Sequence, residues 1–154
     1  MSGGEGFFEL GTDGPKEILA GVDDSTTSLR AAAYAAGLAR RQGAKLTLVY
    51  VAPVASLATA TPGAADLAGA RRQAFHQIAE GLRKRAEQGS RDLGISITFV
   101  AAEGDPFIEL RRIADEIRAD AVVVGASAHA GHRLIGSLAV RLVRAGRWPV
   151  TVVP

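Results

Sequence analysis

The chain has 154 residues, of which 47% are hydrophobic and 22% charged, and its formal net charge is +2. This length is typical of one domain that buries its own core. The sequence contains no cysteine, which excludes disulfides, thiol nucleophiles and thiolate metal ligands. The small net charge argues against a dedicated nucleic-acid-binding protein. No apolar stretch reaches the roughly 18 residues of a membrane span, and the first residues lack the features of a secretory signal. We therefore expect a cytoplasmic protein that binds no membrane.

Residues 1–15 show neither helical nor strand periodicity. They are rich in glycine and carry an isolated Phe7–Phe8 pair. Such a composition cannot bury a continuous apolar face, so it predicts a flexible N-terminal arm. A single domain over residues 16–154 would follow this arm.

Short apolar runs alternate with helical patterns over the rest of the chain. The predicted strands are Ile18–Val22, Leu46–Val51, Ile95–Val100, Ala121–Val124 and Pro149–Val153. The predicted helices begin near Ser28, Asp66, Phe107 and Gly136–Ser137. Because the strands are apolar at almost every position, both faces of the sheet should be covered. The sequence therefore predicts an α/β fold with an open parallel sheet and helices on both faces.

Two loops after predicted strands carry unusual residues. Ligands of open parallel sheets bind beyond the carboxyl ends of the strands, where the strand order reverses. Asp23–Ser25 follows the first strand and Gly125–Ser137 follows the fourth, so a 3-2-1-4-5 order would bring the two loops together. A helix that begins at Gly136–Ser137 directs backbone N–H groups and the positive end of its dipole at an anion. These loops indicate a phosphate site, although glycines that serve only turn geometry would give the same pattern.

Six segments of the chain resemble one known family. They are Val22–Ser25, Leu48–Val51, Gly104–Pro106, Ala119–Gly125, Gly136–Ser137 and Pro149–Val153. On these segments the sequence resembles the universal stress protein family from Lys16 to Pro154. The resemblance implies a five-stranded parallel sheet in the order 3-2-1-4-5, a role in the stress response, and a homodimer formed through the last strand.

The resemblance also implies a site for ATP or another adenine nucleotide. Asp23 and Asp24 are candidates to orient its ribose or to hold Mg²⁺ near its phosphates, because hard cations favour carboxylate oxygens. The residues that match the family's site are Asp23, Val51, Val124, Gly125, Ala128, Gly136, Ser137 and Leu138. The loop departs from the family's pattern of G, two residues, G, nine residues, G, then S or T. Ala128 stands at the second glycine, and seven residues separate it from Gly136. These departures predict weaker nucleotide binding than in members with the complete loop.

Three functional hypotheses remain open on the sequence alone. The first is a nucleotide-responsive binding and dimerisation module that needs no catalysis. The second is a nucleotide-free interaction protein of the same fold with an unknown protein partner. The third is a slow ATPase, for which Asp23 and Asp24 are the available general bases. Gly125–Ala128 is similar to a serine-hydrolase elbow, but no acid follows Ser127 to complete a triad in that fold's order.

Charge and hydropathy near the carboxyl end suggest two kinds of contact. No acid follows Asp120, whereas four arginines do: Arg133, Arg141, Arg144 and Arg147. They would attract an anion, or else they pair with acids elsewhere in the fold. His129 and His132 have no apparent third metal ligand. Val150–Val153 bears no charge that would prevent edge-to-edge pairing, which favours the homodimer.

Overall fold

Strands and helices alternate along the chain, as the sequence predicted. The computed structural model describes residues 14–54, 62–127 and 136–154. In chain order its elements are β1 (Glu17–Val22), α1 (Thr26–Gln42), β2 (Lys45–Ala52), α2 (Ala64–Leu93), β3 (Ile97–Glu103), α3 (Pro106–Ile117), β4 (Ala121–Gly125), α4 (Ser137–Ala145) and β5 (Val150–Val153). The strands form one parallel sheet in the order β3-β2-β1-β4-β5. This order confirms the predicted fold class.

The sheet separates two apolar cores. One core contains Ile18 and Leu48 and packs against α1 and α2. The other contains Leu19, Val49 and Val122 and packs against α3 and α4. Successive side chains of a strand point to opposite faces, so a strand covered on both faces is apolar at every position. This arrangement explains the uninterrupted apolar runs of β1, β2 and β4.

The first helix differs from its prediction in its start and in its buried face. It begins at Thr26 because the Ser25 hydroxyl caps it by accepting from the Ser28 amide at 3.2 Å. In the sequence, Leu29, Ala32, Ala33, Ala36 and Ala39 recur at a helical spacing, which predicts that they form one buried face. The buried residues are instead Ser28, Ala31, Ala35, Ala36 and Ala39, and Ala33 is exposed. Alanines occur on all sides of this helix, so their spacing does not identify one face.

The third strand lies further along the chain than predicted. Gly94 ends α2 in the left-handed conformation, and β3 then runs from Ile97 to Glu103. Glu103 pairs in register with Ala52, and the Gly104 amide donates to the Ala52 carbonyl at 2.9 Å. Pairing with the long strand β2 therefore extends β3 through residues that carry no strong strand signal of their own.

Three predictions concern segments that the structure describes in part or not at all. The N-terminal arm lies almost wholly outside the described residues, so the arm and the domain boundary at residue 16 remain predictions. Ala128, His129, His132 and Arg133 also lie outside them.

Within the described ranges, no helix is long and apolar enough to cross a membrane.

Candidate functional site

A cavity of about 210 Å³ lies at the carboxyl ends of β1, β2 and β4. It opens on the sheet face that α3 and α4 cover. Its wall combines the loop after β1, the start of α1, two valines of β2, part of α3, the end of β4 and the start of α4. Strands β1 and β4 are neighbours here while their connections leave in different directions, so the cavity occupies the switch point expected for a doubly wound sheet.

The structure brings most of the predicted site residues to this cavity. Those that line it are Asp23, Val51, Val124, Gly125, Gly136, Ser137 and Leu138. Ala128 lies outside the described residues. The loops after β1 and β4 therefore lie side by side, as predicted from the 3-2-1-4-5 strand order. For each of these residues, a role in nucleotide binding remains a prediction.

Several wall residues were missed by the sequence reasoning. Val49 lies two residues before Val51 on the same face of β2, so strand alternation would have found it. Leu110 and Pro106 come from α3, whose packing against the end of β1 has no local signal in the sequence. Thr27 comes from the first turn of α1 and contacts a residue 99 positions away.

The loop after β1 is fixed by its own hydrogen bonds. The Asp23 carboxylate accepts from the Ser25 amide at 3.0 Å, and the Asp23 amide donates to the Ser28 hydroxyl at 3.1 Å. Asp24 has φ of 69°, a left-handed conformation that aspartate tolerates better than most residues. Ser25 is the residue that caps α1, and Asp24 is exposed to solvent.

Gly125 brings the end of β4 against the first turn of α1. A Cβ atom at this position would lie 2.6 Å from the Thr27 carbonyl carbon and 2.7 Å from the Ser28 nitrogen. The Thr27 hydroxyl donates to the Ala126 carbonyl at 2.7 Å, and the Ala126 amide donates to the Val153 carbonyl at 2.7 Å. The residue after Gly125 is thereby tied to α1 on one side and to β5 on the other.

Replacing Thr27 with valine should lower the free energy of unfolding by about 1 kcal/mol, because the half-buried Ala126 carbonyl would lose its donor. Valine keeps the branched shape, so the change isolates the hydroxyl. Thr26→Val, at an exposed position of the same turn, is the matched control and should change stability by less than about 0.5 kcal/mol. Urea unfolding of the two variants measures the difference, and equal midpoints would contradict the importance of this hydrogen bond.

The start of α4 forms the opposite wall of the cavity. Its N-cap is Gly136, which has an ordinary backbone conformation with φ of −62° and no side chain to cap the helix. A Cβ on Gly136 would lie 2.8 Å from the Ser127 Cβ, so glycine is needed here for a close approach. Ser137, Leu138 and Ala139 follow and also line the cavity. No acid lies in the first turn of this helix.

Two of the carboxyl-terminal arginines pair with acids of α3 and its N-cap. Arg141 contacts the Asp105 carboxylate at 3.0 Å, and Arg147 contacts Asp115 at 2.7 Å. The hydrogen bond from Arg141, together with the Ile108 amide, holds the pKa of the Asp105 carboxyl below its usual value. The second interpretation of these arginines, pairing with acids elsewhere, therefore holds for two of the four.

The described residues offer no ready metal centre. Among them, no three side chains of His, Asp or Glu are grouped as ligands. The cavity wall contributes one carboxylate from these residues, Asp23. The rest of the described wall consists of apolar side chains, small hydroxyls and the start of a helix.

A parallel sheet in this order, with a crevice at the ends of the neighbouring strands β1 and β4, defines the doubly wound class of α/β proteins. Within that class the chain belongs to the universal stress protein family, whose sequence profile matches residues 15–154. It is 27% identical over 141 residues to a universal stress protein of Methanocaldococcus jannaschii, an alignment that covers 90% of this chain and 81% of that protein.

Solved structures share this fold. The universal stress protein UspA from Lactobacillus plantarum superposes with a TM-score of 0.77 at 24% identity, over 90% of this chain and 97% of that one. A universal stress protein solved in complex with cAMP superposes with a TM-score of 0.66 at 26% identity, over 91% of this chain and 97% of that one. The family assignment made from the six sequence segments is therefore confirmed.

Proposed function

We propose that this universal stress protein is a stress-response module that binds an adenine nucleotide in the cavity between β1 and β4 and forms a homodimer through β5. The observation that carries the proposal is the cavity itself, in which an apolar wall and an uncapped helix start face each other. The solved relative in complex with cAMP supports an adenine nucleotide as the ligand class. The cytoplasmic location of this protein remains a prediction.

The apolar part of the wall suits a purine base. Val49, Val51, Leu110 and Val124 are buried members of the core beneath the cavity, and each also lines it. A base placed on them would be removed from water, at a gain of roughly 25 cal/mol per Å² of apolar surface. Asp23, at the edge of this wall, is placed to accept a hydrogen bond from a ribose hydroxyl or to bind Mg²⁺ beside phosphates.

The first turn of α4 suits a phosphate. The first amides of a helix have no partner within the helix, and the helix dipole adds a partial positive charge there. Gly136 leaves these amides without a side-chain cap and allows close approach to the backbone. Residues 137–139 also lie in the cavity wall, so a phosphate bound at this turn would be adjacent to a base on the valines.

Changing Ser137 to glutamate should raise the Kd for cAMP by at least about tenfold, which corresponds to 1.4 kcal/mol. The carboxylate would occupy the position proposed for the phosphate. Ser137 is exposed, and an acid in the first turn of a helix favours folding, so stability should be retained. Calorimetric titration with cAMP and with AMP measures the affinities, and thermal unfolding checks the fold.

Ala65→Glu is the matched control, since it adds the same side chain to an exposed first-turn position of α2 that does not line the cavity. Its Kd should equal that of the unmodified chain. If the unmodified chain gives neither heat nor a thermal shift with any adenine nucleotide at millimolar concentration, the proposal fails and a nucleotide-free interaction protein becomes the better hypothesis. Hydrolysis of Mg-ATP that Asp23→Asn abolishes would instead favour the slow ATPase.

The homodimer is proposed from the position of β5. This strand pairs with β4 on one side only, so it is an edge of the described sheet. Its four residues are uncharged and are intermediate in exposure in the single chain. An uncharged edge strand presents unpaired backbone groups to another copy of the same strand.

A further inference from the structure

The outer face of α1 carries a stripe of positive charge. Arg30, Tyr34 and Arg41 are exposed, and their spacings of four and seven residues place them on one side of the helix, with Arg40 beside them. The helix contains no acid over its whole length, Thr26–Gln42. Within the part of the chain that the structure describes, none of the three arginines forms an ion pair. The described residues therefore leave this face basic.

Helix geometry explains only part of this charge. Arg40 and Arg41 lie in the last turn, where positive side chains complement the helix dipole, whereas Arg30 lies in the second turn and has no such role. Tyr34 is 45% exposed and lies between Arg30 and Arg41. A Cβ atom on Gly37 would lie 3.4 Å from the Arg41 Nη1, so the Arg41 guanidinium lies one turn closer to Tyr34. An exposed ring between cations suits an acidic segment that also carries aromatic side chains.

The chain itself contains a segment of this chemistry. Residues 1–13 include Glu5, Glu9 and Asp13 but no lysine or arginine. These three are all the acids of the chain that lie outside the described residues. The same segment carries the Phe7–Phe8 pair, for which the sequence offers no place in the core. Its charge and its aromatic content are therefore complementary to the outer face of α1.

The described chain begins beside the end of α1. Gly14 is its first residue, and a Cβ atom there would collide with the side-chain oxygen of Gln42, the last residue of the helix. Tyr34 and Arg30 precede Gln42 by eight and twelve residues, or about 12 and 18 Å at a rise of about 1.5 Å per residue. An extended chain covers roughly 3.3 Å per residue, so residues 1–13 can span about 40 Å. The segment is long enough to run along the whole helix.

We propose that residues 1–13 bind along the outer face of α1 in the same chain, with their three acids opposite the arginines and the Phe7–Phe8 pair against Tyr34. The contact requires no regular secondary structure in the segment. Exposed ion pairs are individually weak, but the segment is tethered at the end of α1, which gives it a high effective concentration there. The bound segment would cover the basic face against other acidic molecules. This face is separate from the described cavity wall, so the inference does not depend on nucleotide binding.

The absence of cysteine allows one spin label to be placed in the segment through Ser2→Cys. Paramagnetic broadening of backbone amide signals in NMR spectra of the full chain then reports which surface the label approaches. The signals of residues 30–37 should be broadened more than those of α3, which packs on the opposite face of the sheet. Raising the ionic strength from about 0.01 M to about 1 M shortens the screening length from about 30 Å to about 3 Å, so the broadening should decrease.

Arg30→Gln combined with Arg41→Gln should lower the ratio of bound to unbound segment about fivefold, which corresponds to about 1 kcal/mol for two exposed ion pairs. Glutamine has a helix propensity similar to that of arginine, and thermal unfolding checks that the fold is retained. Arg72→Gln combined with Arg111→Gln is the matched control, since it removes two exposed arginines from α2 and α3. This control should leave the broadening unchanged.

Broadening that is spread evenly over the surface, or concentrated outside α1, would overturn the inference. Equal broadening with and without Arg30 and Arg41 would do the same. Broadening that survives Phe7→Ser with Phe8→Ser at full strength would overturn the aromatic contact. A mixture of spin-labelled chain with isotope-labelled chain that carries no spin label tests the intramolecular arrangement. Broadening of α1 signals in that mixture would place the segment on another copy and overturn the binding within one chain.

Discussion

Replacing Gly125 with alanine should lower the free energy of unfolding by about 2 to 3 kcal/mol, at the upper end of the usual cost of overpacking. The added methyl group would meet the backbone of Thr27 and Ser28 at 2.6 to 2.7 Å, and backbone cannot rotate away as a flexible side chain can. Helix α1 would have to move off the end of β4, which would also separate the two walls of the cavity. Chemical unfolding measures the loss, and titration with cAMP should show weaker binding in the same variant.

Gly69→Ala is the matched control for this change. Gly69 lies in the exposed part of α2, and a Cβ there would have no neighbour within 4 Å. Alanine is the better helix former, so this variant should gain up to about 1 kcal/mol. If Gly125→Ala unfolds at the same midpoint as the unmodified chain, the close approach of β4 and α1 does not constrain position 125.

Replacing Val152 with proline should convert a dimer into a monomer. The Val122 amide donates to the Pro149 carbonyl and the Ala126 amide to the Val153 carbonyl, so residues 149, 151 and 153 direct their backbone groups at β4. The amide of Val152 then points to the open edge of the sheet. Proline removes this amide without removing a hydrogen bond to β4, which is why proline is tolerated at such edge positions. Light scattering at micromolar concentration gives the mass.

Thr151→Pro is the complementary variant, since its amide faces β4 and its loss should lower the melting temperature. The melting temperature of Val152→Pro should be close to that of the unmodified chain measured at high dilution, where the unmodified chain is a monomer. A monomeric mass for the unmodified chain at micromolar concentration would refute the homodimer. A dimer that persists in Val152→Pro would place the interface away from the β5 edge.

The strands were predictable because a short, continuous apolar run between polar loops is typical of a strand in a parallel sheet. Both faces of β1, β2 and β4 are buried, so each strand is a continuous apolar run between polar loops. The face of α1 was not predictable, because a helix with alanine on several sides gives no clear period. The limits of β3 depend on pairing with β2, which is a tertiary effect that local sequence does not encode.

The loops of the site were predictable, but the reason for their glycines was not. The rule that ligands lie at the carboxyl ends of strands selected the loops after β1 and β4 correctly as neighbours. The sequence suggested that Gly125 and Gly136 make room for a phosphate. In the structure each is also required by the protein itself, Gly125 against the α1 backbone and Gly136 against Ser127. A glycine motif alone does not distinguish room for a ligand from room for another part of the chain.

The cavity wall and the second apolar core share residues. Val49, Val51, Leu110, Val124 and Ala139 belong to both. A substitution at any of them changes the packing that holds α3 and α4 on the sheet as well as the surface that a ligand would meet. Selection during evolution cannot adjust ligand affinity at these five positions without altering thermal tolerance. Drift toward new ligand preferences is therefore easier at the polar rim, where residues such as Asp24 and Ser137 are exposed and can vary at small cost to folding.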